Sequence, residues 1–432
     1  MADADRAELS GSGGTSLPQL SRESWLSKLG PGLVTGAADD DPSGIATYSQ
    51  AGAQFGFGLL WTVLFTYPLM VGIQLVAAHI GRVSGRGLAG NIRAHYPRWL
   101  LLSMVSLLLL ANTINIGADI SAMAEALRLI VGGSSHLYVV GFGLGSVLFQ
   151  VFIPYRRYVH FLKWLTLALL AYVATVLVVR IPWLTVLRET LIPPLQWKQE
   201  YITTVVAVFG TTISPYLFFW QASQEVEELR LDGKARPLKR AIAQARYQLR
   251  RIRVDTVLGM AFSNLIAFFI MLTTAVTLHA HGLTEIETSA LRPIAGEFAF
   301  LLFAAGIIGT GLLAVPVLAG SAAYAMAGAF RWSSSLEESP SSAKEFYAII
   351  TLSTLLGAAL CFTAIDPIKA LYWSAVINAV IALPIMTLMM IMVSDKSVMG
   401  KLVATSTLRI VGGLCTAVMA GSVIAMAMVM AT

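Results

Sequence analysis

Charge is scarce in this chain: only 12% of its 432 residues are Asp, Glu, Lys or Arg, about half the share with which a water-soluble domain covers its surface. An ordinary soluble fold is therefore excluded. Cysteine is scarcer still. Cys361 and Cys415 both fall inside apolar helices in the sequence reading, where a thiol behaves as a small hydrophobe, so neither a disulfide framework nor a thiolate metal site is supported. Alternating strand patterns are missing, which argues against a membrane barrel. The first 29 residues contain no apolar core followed by a small-residue cleavage site, so no cleavable signal peptide is expected. This Ser- and Gly-rich stretch reads instead as a disordered cytoplasmic tail. Six histidines are present, all near expected membrane boundaries or loops, which counts against a histidine-based proton relay.

What is abundant is hydrophobic: 56% of residues, with a mean hydropathy of +0.72. A transmembrane helix needs about 20 mainly apolar residues. Eleven such runs are present, at 32–53, 58–80, 101–130, 136–154, 159–179, 201–223, 256–279, 298–329, 346–364, 368–394 and 408–431. The expected class is an all-α polytopic membrane protein with eleven transmembrane helices.

Lys and Arg accumulate in cytoplasmic loops. With alternate segments assigned to opposite sides, 24 of the 30 basic residues share the side of the N-terminus. This places the N-terminus in the cytoplasm and the C-terminus outside, and it reads the net charge of +6 as topology rather than as a nucleic-acid surface. The longest interruption, 224–253, carries nine basic residues and several Glu. It is expected to form a cytoplasmic amphipathic or solvated helix.

Two apolar runs are broken in a matching way, the first by Asp41-Pro42-Ser43-Gly44 and the sixth by Ser214-Pro215, 173 residues apart. Mid-helix proline frees backbone groups that must find partners in lipid, and such breaks survive where they line a cavity. Paired breaks five helices apart are the mark of an inverted repeat of five plus five helices. The first repeat then covers 30–180, the second 201–394, and 408–431 is an additional helix, all within one transporter domain, 30–432.

The first break carries three consecutive carboxylates, Asp39, Asp40 and Asp41, each costly in a membrane. Asp41, at the break itself, is the principal candidate to face a central site. Unwound carbonyls beside a carboxylate make a hard oxygen site for Mg²⁺, Mn²⁺ or Ca²⁺. Asp39 and Asp40 either line the approach or bond to neighbours. Asn112, Asn115 and Asp119 share one face of the third helix and serve either a hydrated vestibule or interhelical hydrogen bonding. The sixth run offers Thr211, Thr212, Ser214 and Tyr216 around its break, and the tenth has one deep polar residue, Asn378, which either completes a site or bonds a neighbouring backbone.

The stretches GPGLVTGAADDDPSGIATYSQAGAQFG at 30–56, GIQLVAAHIGRVSGRGLAGNIRAHYP at 72–97 and TISPYLFFWQASQE at 212–225 resemble the NRAMP family of divalent-metal transporters. Within it they look most like the branch of NRAMP-related magnesium transporters. The resemblance implies a LeuT-type alternating-access carrier with helices 1 and 6 broken. It also assigns residues: Asp41 keeps the family's first-helix aspartate, whereas Ser43-Gly44 replace its Gly-Asn. The family's Met-Pro-His becomes Ser214-Pro215-Tyr216, and its second histidine falls on Gln221. Losing the thioether removes the soft ligand that favours transition metals.

The expectation is thus an inner-membrane or plasma-membrane importer of Mg²⁺, and also of Mn²⁺. It carries the ion partly hydrated, without proton coupling, without a cofactor and as a monomer. Asp41, Asp40, Gly44, Thr211, Ser214 and Asn378 are the candidate metal-site residues, and Asp39, Asn112, Asn115, Asp119, Tyr216 and Gln221 line the pathway. A proton-coupled Mn²⁺/Fe²⁺ carrier is the alternative within transport. An intramembrane aspartyl protease using Asp41 and Asp119 is the alternative of another class.

Overall fold

The computed structural model describes residues 35–36, 38–153, 169, 172–173, 176, 181–231, 235–283, 291–363 and 366–431, with backbone alone for 291–300 and 302–303. The expected tail 1–29 and most of the expected fifth span, 159–179, lie outside the described residues.

The described chain is helical. In order, the helices are α1 (Pro42–Phe55), α2 (Leu60–Ser84), α3 (Leu88–His95), α4 (Arg98–Val131), α5 (Ser135–Phe152), α6 (Trp183–Leu191), α7 (Gln199–Thr212), α8 (Pro215–Leu231), α9 (Ala245–Thr277), α10 (Leu291–Phe330), α11 (Lys344–Leu360), α12 (Pro367–Ser394), α13 (Lys396–Met399) and α14 (Ser406–Ala431). Eight segments among the described residues are long and apolar enough to cross a membrane, rather than eleven. The difference has physical causes. A 3₁₀ turn at Gly56–Leu59 joins α1 and α2 into one continuous helical segment, α11 is only 17 residues long, and the expected fifth span is largely undescribed.

The helix ends follow local sequence chemistry. Asp41 and Asp366 each precede a proline at the first helical position and accept backbone N–H groups of the following turn, the combination that starts a helix most sharply. Pro68, Pro316 and Pro384 lie inside continuous helices, so proline alone does not break a helix here.

The region 224–253 is not one solvated helix. Its first part extends α8 to Leu231, residues 235–241 are irregular with a turn at 238–240, a 3₁₀ turn spans Ile242–Gln244, and the rest begins α9. Glu225 is fully buried, lying 3.7 Å from the Arg82 guanidinium and 3.4 Å from that of Arg251, which also pairs with Glu228. Ion pairing across α2, α8 and α9 therefore replaces solvation. Cys361 likewise sits just past the end of α11, its thiol 3.1 Å from the Gly117 carbonyl, while Cys415 is buried within α14; both are free.

The α7–α8 segment is the centre of the bundle: its most apolar 18-residue window is entirely buried, against 17% for α14, which packs on the outside against α2, α7 and α12. Around the centre, α1 lies against α9, α12 and α7, and α4 against α10, α11 and α12. Contact between α7 and α12 is close because residue 210 is glycine. A Cβ there would lie 2.0 Å from the Ala375 carbonyl oxygen and 2.7 Å from the Ala379 nitrogen. Gly210→Leu is expected to destabilise the fold by about 1–3 kcal/mol or more through overpacking. Gly421→Leu, at a position with open space around it, should change little, and reversible unfolding in mixed micelles compares the two.

Candidate cation site at the helix breaks

The first break falls slightly earlier than the sequence reading placed it. Helix runs through Thr35–Asp39 as far as the described residues show, bends at Asp40, and resumes at Pro42. Ser43 and Gly44 therefore belong to the first turn of α1, and the unwound backbone is Asp40–Asp41. Asp41 explains why α1 restarts there: its Oδ1 accepts the Gly44 N–H at 2.7 Å and the Ser43 hydroxyl at 2.6 Å. At the second break, α7 ends at Thr212 and α8 starts at Pro215. Here the Ser214 hydroxyl donates to the Gly210 and Thr211 carbonyls, at 2.8 and 2.7 Å, closing the end of α7.

The two breaks meet. A Cβ on Gly44 would lie 3.2 Å from Thr211 Oγ1 and 3.3 Å from the Asp39 carbonyl oxygen, so any larger residue would press the start of α1 away from the end of α7 by a few tenths of an ångström. Across the junction, Tyr216 of α8 donates to the Ala38 carbonyl at 2.9 Å and reaches Asp41 Oδ2 at 3.5 Å. Tyr48 of α1 and Thr212 of α7 share a hydrogen bond of 2.8 Å. From α4, Asn115 donates to Asp41 Oδ2 at 3.0 Å. Asp119 of α4 is buried, and neither of its oxygens reaches hydrogen-bond geometry with a described residue.

Not every pathway candidate joins this centre. Asn112 turns to α10, where it donates to the Leu318 carbonyl and the Ser321 hydroxyl at 2.8 and 2.7 Å. That is interhelical bonding of the kind the sequence left open. Gln221 accepts from Thr35 at 2.6 Å, fastening the segment before the break to α8 about two turns away from Pro215. Asn378 is buried on α12 beside the Gly210 contact, with its Nδ2 unpartnered among the described residues.

Sequence reasoning missed two partners, Ser263 and Tyr48. Ser263 of α9 donates to Asp39 Oδ2 at 2.7 Å or to Asp40 Oδ1 at 3.1 Å, so one oxygen of each of these carboxylates is turned to α9 while the other has no partner among the described residues. The available signal was Ser263-Asn264, a polar pair in the apolar run MAFSNLIAFF.

The electrostatics of the centre are one-sided. Asp39, Asp40, Asp41 and Asp119 are all buried, and among the described residues none of them pairs with Lys, Arg or His. Asp39 Oδ1, Asp40 Oδ2, Asn115 Oδ1, Thr211 Oγ1 and both Asp119 oxygens have no hydrogen-bond partner there. No group of three or more His, Cys, Asp or Glu among the described residues forms a ready-made metal cage. The arrangement thus offers scattered, negatively charged oxygen donors that favour a cation, and it provides no soft ligand.

Discontinuous helices meeting at a buried polar centre define the class: a polytopic membrane carrier built on broken helices. Residues 32–429 match the family described as Nramp, Natural resistance-associated macrophage protein-like, and the chain belongs to this family. It is 27% identical over 413 residues to a divalent metal cation transporter MntH of Klebsiella pneumoniae, covering 93% of each chain. Its fold resembles that of the Eremococcus coleocola manganese transporter, with a TM-score of 0.75 at 18% identity over 95% of this chain and 87% of the other. It also resembles Mhp1, a nucleobase-cation-symport-1 family transporter, with a TM-score of 0.60 at 15% identity over 93% and 92%. These likenesses establish the LeuT-like fold that the resemblance to the family implied.

Removing the hydroxyl of Ser263 takes a donor from both Asp39 and Asp40. Ser263→Ala is expected to lower stability by about 1–3 kcal/mol. Ser422→Ala, where the lost bond is to a carbonyl within α14, is the comparison in the same unfolding measurement.

Proposed function

We propose that this chain is an alternating-access importer of divalent cations, Mg²⁺ and also Mn²⁺, that carries the ion partly hydrated and without proton coupling. The observation that carries the reading is the group of four buried carboxylates without a basic partner where the two breaks meet. Family membership and the activities of the relatives, divalent metal and manganese transport, support it.

Asp41 is the main ligand in this proposal. Thr211 Oγ1, the carbonyls at the end of α7 and Asn378 approach from the facing elements, while Asp40 and Ser214 complete the site and Gly44 leaves the room it needs. Asp39, Asn115, Asp119 and Tyr216 line the aqueous approach. Mg²⁺ sheds water reluctantly and keeps several waters when bound, which suits donors that are dispersed rather than caged. Ser214 stands where the resemblance puts a methionine, so the soft ligand that would favour Fe²⁺ is lost.

A divalent ion moving to a negative interior gains about 2.3 kcal/mol per charge at 100 mV. At two charges this drives roughly thousandfold accumulation without a second ion. The proposal includes a monomer in the inner or plasma membrane, an N-terminus in the cytoplasm, a C-terminus outside, and two inverted five-helix repeats. An intramembrane aspartyl protease finds no support, since the relatives are transporters rather than enzymes.

The test is uptake into proteoliposomes containing Mg²⁺-sensitive and pH-sensitive dyes, with the interior negative. Mg²⁺ entry without acidification is the expected result, and Asp41→Ala should reduce it at least a hundredfold. Acidification accompanying Mn²⁺ entry, with no Mg²⁺ signal, would establish the proton-coupled alternative. In the same assay, Ser214→Met should depress Mg²⁺ uptake and raise the ratio of Mn²⁺ to Mg²⁺ entry.

A further inference from the structure

Away from the helix breaks, the turn between α2 and α3, the α8 helix and the end of α10 enclose a solvent-open cavity of about 190 Å³. Four arginines line it: Arg86, Arg93, Arg230 and Arg331. Among the described residues its one lining carboxylate, Glu227, is buried and already engaged by the Tyr324 and Ser335 hydroxyls, each at 2.9 Å. The cavity is therefore strongly cationic, and a Mg²⁺ or Mn²⁺ ion would be repelled from it.

Three further features make this more than a solvated basic edge. Arg93 is anchored by a 2.8 Å bond to the Gly328 carbonyl and Arg230 by one to the Ser334 carbonyl, so their guanidinium groups are held at the cavity wall. Arg331 adopts a left-handed backbone, with φ of 65°, a conformation that is costly for a side chain other than glycine. Gly87, which starts the eight-residue helix α3 without any side-chain cap, also lines the cavity, so the positive end of the α3 dipole adds to the field. Partial burial and the neighbouring charges of Arg331 and Arg86 hold the Arg93 guanidinium below its ordinary pKa. An anion in the cavity would relieve that repulsion.

We propose that this cavity binds a phosphate group, supplied either by an anionic lipid headgroup or by a soluble phosphate. Planar guanidinium forks match phosphate oxygens two at a time, and an uncapped helix start supplies further donors. The cavity accommodates a phosphate with a few waters. Binding here is independent of the transport reading, since none of the four arginines belongs to the cation site.

The experiment uses the full chain in phosphatidylcholine nanodiscs and follows the thermal midpoint during titration with inorganic phosphate at constant ionic strength. A second series replaces free phosphate with increasing phosphatidylglycerol in the disc. The midpoint should rise in at least one series. In the Arg86→Gln, Arg331→Gly double variant, the concentration or lipid fraction giving half the effect should rise at least tenfold. A response to phosphate in phosphatidylcholine identifies the soluble source, and a response to phosphatidylglycerol alone identifies the headgroup. Should the double variant be unstable, Arg86→Gln alone, at an exposed position, carries the comparison with an expected threefold rise. No response in either series, or equal responses in wild type and variant, overturns the proposal.

Discussion

The structure depends on one carboxylate held at a point where no helix is continuous. Asp41 starts α1 through the Gly44 N–H and the Ser43 hydroxyl, takes the Asn115 amide from α4, and lies 3.5 Å from the Tyr216 hydroxyl of α8. Without such bonds a broken helix in a bilayer would leave backbone and carboxylate groups unsatisfied, each costing several kcal/mol. One aspartate therefore serves two purposes: it stabilises the break, and it keeps a negative charge where the two discontinuous segments meet. Its second oxygen faces side chains from other elements, so a conformational change that shifts those elements also changes what surrounds the charge.

Charge elsewhere is handled in the opposite way. At the end of the bundle where α2, α8 and α9 meet, the buried Glu225 lies within ion-pair distance of Arg82 and Arg251, because an unpaired buried charge with no function costs more than it contributes. At the centre, four buried carboxylates have no basic counterpart among the described residues. The contrast makes the centre the place where a mobile cation is electrostatically favoured. Glycine governs access to it: Gly44 and Gly210 remove the side chains that would hold α1, α7 and α12 apart.

The sequence by itself determined the solvent, the helical class and the location of the chemistry. Scarce charge and long apolar runs leave lipid as the surrounding medium, and the paired Asp-Pro and Ser-Pro inside such runs pointed to helix breaks lining a polar centre. These are local consequences of composition and spacing, so Asp41, Ser214 and Thr211 were legible as residues of the breaks. Tertiary structure decided what depends on distant segments. Periodicity put Asn112 and Asn115 on one face of α4, but only packing sends Asn112 to α10 and Asn115 to Asp41. Ser263 is over 200 residues from Asp39 and Asp40 in sequence, and its role appears only when α9 is laid beside the first break. Proline could not tell a break from a kink, as Pro68, Pro316 and Pro384 inside intact helices show. The segment expected to form one amphipathic or solvated helix became part of two packed helices because its carboxylates met arginines from a different helix and from its own far end. Local sequence marks where a backbone can be interrupted and what charges it bears; whether it is interrupted, and which groups satisfy those charges, is set by neighbours that only the folded bundle brings within reach.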